Sequence, residues 1–322
     1  MSALLVVRPS SLGDIVHTLS LVSDVSAHRP DLAIDWVAEE GFVSLVRLDP
    51  RIRTVIPVAF RRWRQAPLAH RTWRDFGAFR HALRAQRYAY VVDLQEQVKG
   101  ALVARLARGP RHGFDRHSIR EPIATALHDA HHRVVRDQHF IDKARALAGA
   151  ALGYTPEGRP RWQWRLPAAG SRPGGPYALL FHGTSRDDKA WPEAHWRAVI
   201  AHLGAAGIAT LLPWGSEAER ARSERLAAGH ALAHVPPRQD LPALAALARD
   251  AEIVVGVDTG LTHLAAAIGT STVALFTTTD ATLAGVARVG AHARDLGGNG
   301  VVPAVADAIE AVGALLRAAP RC

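Results

Sequence analysis

The stretch ALLVVRPSSLGDIVHTLSLV, residues Ala3 to Val22, carries the first reading of the fold. Leu4 to Val7 form a short unbroken apolar run, which predicts a buried strand, and Ile15, Leu19 and Val22 recur at helical spacing. Between them Arg8-Pro9-Ser10-Ser11-Leu12-Gly13-Asp14 makes a small polar turn that ends in a carboxylate. Asp14 is therefore expected in the first turn of a helix that follows a strand. Two roles fit that position: it complements the positive end of the helix dipole, or it faces the crevice where open α/β sheets bind ligands.

The same alternation continues. AIDWVAEE, RTVIPVA and YVVDLQ read as strands, with a helix near Trp73 to Arg87, which implies parallel strands joined by crossover helices. GYTPEGRPRWQWRLPAAGSRPGGP, residues 153–176, is dense in proline, glycine and arginine and reads as a connection between domains. Beyond it the pattern restarts with YALLF, IATLLPW, EIVVGVD and TVALF. Helices are expected from about Pro192 and Glu217, near Leu241 to Arg249, and over Val302 to Ala319. The expectation is an α/β protein of two Rossmann-like domains, 1–152 and 177–322, facing each other across a central cleft.

With 322 residues, 48% hydrophobic and 21% charged, the chain has the composition of a soluble globular protein, and a disordered state is excluded. No apolar stretch approaches the ~20 residues of a membrane span, so a cytoplasmic protein is expected, with surface attachment to a membrane allowed. The net charge of +9 favours an anionic partner such as nucleic acid, anionic lipid or a phosphorylated ligand. Of the 39 basic residues only Lys99, Lys143 and Lys189 are lysines. A single cysteine allows neither an intrachain disulfide nor a cysteine metal site.

Three loops have the residue types for chemistry. His182 to Lys189, HGTSRDDK, follows a strand and combines glycine, the hydroxyls of Thr184 and Ser185 and the mobile charge of Lys189, a set that suits a diphosphate. It equally describes a solvated loop in which Asp188 and Lys189 neutralise each other. Val257 to His263, VDTGLTH, opens a helix whose first N–H groups can receive a phosphate, with Thr259, Thr262 and His263 as further donors. The third is basic: Arg61-Arg62-Trp63-Arg64, then Arg71, Arg74 and the region His112 to Arg120. Guanidinium groups there suit carboxylates and phosphates. No G-x-G-x-x-G or P-loop pattern is present, and neither H-E-x-x-H nor a paired D-x-D offers metal ligands. Aromatic residues are only 6% and no nucleic-acid-binding signature appears.

Taken together these segments resemble the inner-core heptosyltransferases of glycosyltransferase family nine, which have the two-domain GT-B fold. The resemblance rests on SSLGD-x-x-HTL at Ser10 to Leu19, DWVAEEGF at Asp35 to Phe42 and VIPVAFRRWR at Val55 to Arg64. It continues through VKGA near Lys99, RHGFD and REP near Arg111 to Pro122, SRDDKAWPEAHW at Ser185 to Trp196, LPWG at Leu212 to Gly215 and VDTGLTHLAAA at Val257 to Ala267. It implies transfer of heptose from ADP-heptose onto the Kdo of lipid A with inversion, without metal or cofactor, at the cytoplasmic face of the inner membrane, and no nucleic-acid partner.

By the same resemblance Asp14 is the base and Lys189 serves the diphosphate. Thr184, Ser185, Glu219, Asp258, Thr259, Gly260, Leu261, Thr262 and His263 line the donor, with Glu219 on the ribose. Ser11, Gly13, Arg61, Arg62, Arg64 and Arg120 hold the acidic acceptor. The chain departs from the family pattern at Phe276-Thr277-Thr278-Thr279-Asp280, where a glycine-proline pair is common. A family-nine enzyme for another nucleotide sugar or a later core acceptor, and a non-catalytic binder of anionic membrane or nucleic acid, are the alternatives.

Overall fold

The computed structural model describes residues 2–170, 172–184 and 186–318. The chain forms two compact units, Met1–Arg165 and Leu166–Cys322. In the first, β1 (Ser2–Val7), β2 (Leu32–Glu39), β3 (Ile52–Val58), β4 (Tyr90–Asp93), β5 (Arg111–Phe114) and β6 (Ala130–His132) make one parallel sheet of order β3-β2-β1-β4-β5-β6. In the second, β7 (Tyr177–Phe181), β8 (Ala209–Leu211), β9 (Ala233–His234), β10 (Ile253–Val257), β11 (Thr272–Phe276) and β12 (Ala293–Gly297) are ordered β12-β11-β10-β7-β8-β9, also parallel. Each sheet thus has the doubly wound order in which the chain reverses direction beside its first strand. Such a reversal opens a crevice at the carboxyl ends of two central strands. Those strands are β1 and β4 in one unit and β7 and β10 in the other.

Central strands are apolar on both faces because helices cover both. Leu4 to Val7 and Ile253 to Val257 are buried throughout. The strands β5, β6, β9 and β12 are not expected from the sequence, since RHGF, AHH, AH and ARDLG contain no apolar run to reveal them. The strand expected at YVVDLQ stops at Asp93, whose carboxylate accepts the N–H of Gln95 at 2.9 Å and turns the chain. The helix expected near Trp73 runs from His70 to Arg84.

The expected connection is divided between the units. Trp162 Nε1 donates to the Val16 carbonyl at 2.8 Å and the Arg165 N–H to Leu48 at 2.7 Å, which fastens its first part to the N-terminal unit. Its later part belongs to the second unit, where Arg249 donates to the Pro167 carbonyl at 3.2 Å and Ala169 packs on the core.

Beneath the carboxyl end of β4, Asp93 and His128 form a fully buried pair at 3.0 Å. Its space comes from Gly113, where a β-carbon would lie 2.3 Å from the imidazole. Gly113→Ala is therefore expected to push His128 off Asp93 and to destabilise the N-terminal unit by about 1–3 kcal/mol. A thermal melt checks this, and an unshifted Tm would mean that the ring can move freely.

Candidate active site

In the N-terminal unit the residues after β1 meet those after β4. Ser11 caps the helix Leu12–Leu19, and Asp14 in its first turn accepts the Ser11 N–H at 2.8 Å and hydroxyl at 2.7 Å. The other carboxylate oxygen is 2.8 Å from Nη2 of Arg8, whose Nη1 donates to the Leu94 carbonyl. Ser10 links the two loops: its N–H donates to Gln95 Oε1 at 3.2 Å and its hydroxyl receives Lys99 Nζ at 3.3 Å. Burial acts to raise the pKa of Asp14, but the Arg8 guanidinium and the Ser11 hydrogen bonds outweigh it and hold the carboxyl at about 2. With its side chain 30% exposed, Asp14 is an ionised carboxylate that a ligand can still reach.

Around this point the arginines separate by role. Arg61 lies over the Phe42 ring, with its N–H on Glu39 at 3.0 Å, and its side chain is exposed. Arg64 and Arg120 are exposed as well. Arg62 is engaged within the protein, paired with Glu40 at 3.0 Å and Asp75 at 2.7 Å. Arg8, Gln95 and Lys99 are the residues that sequence reasoning did not place at Asp14. Arg8 stood in the quoted turn and Lys99 among the three lysines, but only the β1–β4 neighbourhood joins them.

In the C-terminal unit Asp258, after β10, is the hub. Lys189, from the loop after β7, reaches it at 2.6 Å, Thr279 Oγ1 donates to it at 2.6 Å, and His263 Nε2 is 3.4 Å away. Burial acts to raise its pKa, and His263, Lys189 and Thr279 together hold it well below the usual carboxylate range. The residues at the departure from the family pattern have a visible task. Thr277 donates to the Asp188 carbonyl at 2.7 Å, so Thr277 and Thr279 tie the segment after β11 to the Lys189 loop and its partner.

Thr262, expected as a hydroxyl donor to the ligand, is fully buried here and its hydroxyl donates to the Val257 carbonyl at 2.8 Å, which fastens the turn. Its position depends on Gly256, where a β-carbon would lie 2.0 Å from Thr262 Oγ1. The Leu261 side chain is half-buried and packs against the core. Thr259 caps the helix Gly260–Ile268, whose first N–H groups lack intrahelical partners. Glu219 Oε2 accepts the N–H groups of Gly215 at 2.6 Å and Ser216 at 3.2 Å, and its other oxygen abuts Gly183. Thr184 is half-buried beside this contact, and Ser185 lies outside the described residues. Among the described residues no group of three or more His, Cys, Asp or Glu side chains is arranged to hold a metal ion, and no helix is long and apolar enough to cross a membrane.

Comparison with known proteins decides the family. Residues 76–294 match the model of glycosyltransferase family 9 (heptosyltransferase). The chain belongs to glycosyltransferase family 9. This family 9 glycosyltransferase is 40% identical over 288 residues to lipopolysaccharide heptosyltransferase 1 of Escherichia coli K12, covering 87% of this chain and 89% of the relative. It is also 40% identical to the protein of that name from Pseudomonas aeruginosa, over 84% of this chain and 78% of the relative. Among solved structures, E. coli heptosyltransferase WaaC with ADP superposes with a TM-score of 0.89 at 36% identity, over 98% of this chain and 100% of that one. The same enzyme with ADP-2-deoxy-2-fluoro heptose gives 0.84 at 35% identity, over 99% of each chain.

A carboxyl held below its unfolded value of 3.8 adds stability that is complete above that value and is lost as the pH falls toward the folded one. Asp258→Asn in this glycosyltransferase is therefore expected to cost about 1–3 kcal/mol at neutral pH, and less at about pH 3. Urea unfolding at both pH values checks this. An equal cost at both would mean that the charge of Asp258 is not what holds the hub together.

Proposed function

We propose that this glycosyltransferase moves heptose from ADP-heptose onto the Kdo of the lipid A inner core, inverting the anomeric centre without a metal. The N-terminal unit takes the acceptor and the C-terminal unit takes the donor. The reading is carried by the 40% identity over 87% of the chain to heptosyltransferase 1, together with an ionised, reachable carboxylate at the β1–β4 crevice.

Inversion in one step needs a base on the acceptor hydroxyl and a stabiliser of the departing diphosphate. Asp14 fills the first role. Lys189 fills the second: its ammonium, oriented by Asp258, follows the charge that grows on the ADP oxygen, while the N–H groups at Gly260 and Leu261 receive phosphate. Thr184, Thr259 and His263 line the same donor region, with Glu219 toward the ribose, and the family resemblance alone assigns Ser185 to it. Arg61, Arg64 and Arg120, with Ser11 and Gly13, hold the acidic acceptor, and Arg62 shapes that surface through Glu40 and Asp75. The protein works at the cytoplasmic face of the inner membrane, where such an acceptor is presented.

The experiment is ADP release from ADP-heptose, which should require a Kdo-bearing acceptor and persist in chelator. Release without acceptor, or loss restored by magnesium, overturns this reading. Asp14→Asn should lower turnover at least ~100-fold with donor affinity little changed. Lys189→Ala should reduce turnover more than it weakens ADP binding, because the cation acts on charge that develops in the transition state. A Lys189→Ala variant altered only in acceptor affinity would place that loop on the acceptor side.

A further inference from the structure

The helices Phe60–Gln65 and His70–Arg84 meet at a turn whose side chains have the wrong chemistry for water alone. Leu68 at its tip is 90% exposed and Trp73, one turn into the second helix, is 62% exposed. Trp73 is backed by a file of aromatic rings that runs into the core: it packs edge-on against Phe76 at 6.4 Å, Phe76 against Trp63 at 5.8 Å, and Trp63 against Phe79 at 5.8 Å. The turn itself is held by Thr72 Oγ1 on the Ala66 carbonyl at 2.7 Å. These two apolar groups are presented on a fixed support.

Charge surrounds them. Residues 60–84 contain seven arginines and one acidic residue, Asp75. That carboxylate is shared by Arg62, Arg71 and Arg74 at 2.7, 3.7 and 3.4 Å, so it cannot neutralise them all. Arg64, Arg71, Arg74, Arg80 and Arg84 are exposed. A nucleic acid would match the charge but gains little from a leucine. A bilayer of anionic lipid matches both features: phosphates meet the guanidinium groups, while leucine and an interfacial tryptophan enter the headgroup boundary.

We propose that the Leu68–Trp73 turn and its flanking arginines dock this protein on an anionic lipid surface. This names the membrane-facing part of the proposed function and rests on that reading only for the choice of a bilayer.

The test is co-sedimentation with vesicles of phosphatidylcholine alone or mixed with phosphatidylglycerol. Wild type should bind the mixed vesicles more tightly. Leu68→Ser/Trp73→Ser and Arg71→Gln/Arg74→Gln should each weaken that binding on the order of ten-fold. The Leu68→Ser/Trp73→Ser variant should retain ADP release with a soluble, delipidated acceptor, so loss of docking is read separately from loss of catalysis. The proposal is overturned if wild type does not distinguish the two vesicles, or if both variants bind like wild type. It is equally overturned if Arg238→Gln/Arg294→Gln, on the other unit, weakens binding as much. Preference for a random duplex over vesicles, lost in the same variants, would assign the surface to nucleic acid instead.

Discussion

A carboxylate held by a cation beside the carboxyl end of a central strand organises each half of this protein. Arg8 and Asp14 do this after β1, and Lys189 and Asp258 after β7 and β10. In both places the sheet order creates the need. Where neighbouring crossover connections turn to opposite faces, strand ends are left uncovered, and polar loops must bond one another or a ligand. Ser10 bridging Gln95 and Lys99 is the first solution, and Thr277 and Thr279 reaching across to the Lys189 loop is the second.

The two pairs differ in what they leave free. Asp258 is 8% exposed and surrounded by three partners, so it is a fixed point that aims Lys189 and His263. Asp14 has one side open and a cation on the other. A fixed anion suits a donor site, because the cation it orients remains to meet phosphate. A reachable anion suits a proton acceptor. In the proposed mechanism this asymmetry in burial matches a division of labour between stabilising a leaving group and deprotonating a nucleophile.

Much of the fold was legible because the central strands are buried on both faces and so carry unbroken apolar runs, from Leu4 to Val7 and from Ile253 to Val257. The edge strands β6 and β9 were not, since Ala130-His131-His132 and Ala233-His234 are paired on one side only and need no such run. The same limit applies at the site. Asp14, Lys189 and Asp258 could be singled out because each follows a recognisable strand. The contact of Arg8 and Ser10 with residues 94–99 depends on β1 lying beside β4, an adjacency that strand order sets and local pattern does not reveal. Thr262 shows another limit: its residue type and helix position suit a phosphate, but local pattern does not reveal that its hydroxyl bonds the Val257 carbonyl and closes the turn.

Arginine abundance hid a further distinction. Arg145 clamps Asp24 with bonds of 2.7 and 2.9 Å, Arg53 grips Asp35 at 2.7 Å, and Arg51 grips Asp49 at 2.5 Å. These guanidinium groups are structural, so net charge alone overstates what is offered to a partner. Arg8 belongs to neither class. It sits 2.8 Å from the Asp14 carboxylate and helps hold it ionised. In the proposed mechanism the same attraction lowers the proton affinity of that carboxylate, because a cation beside an anion favours its charged form.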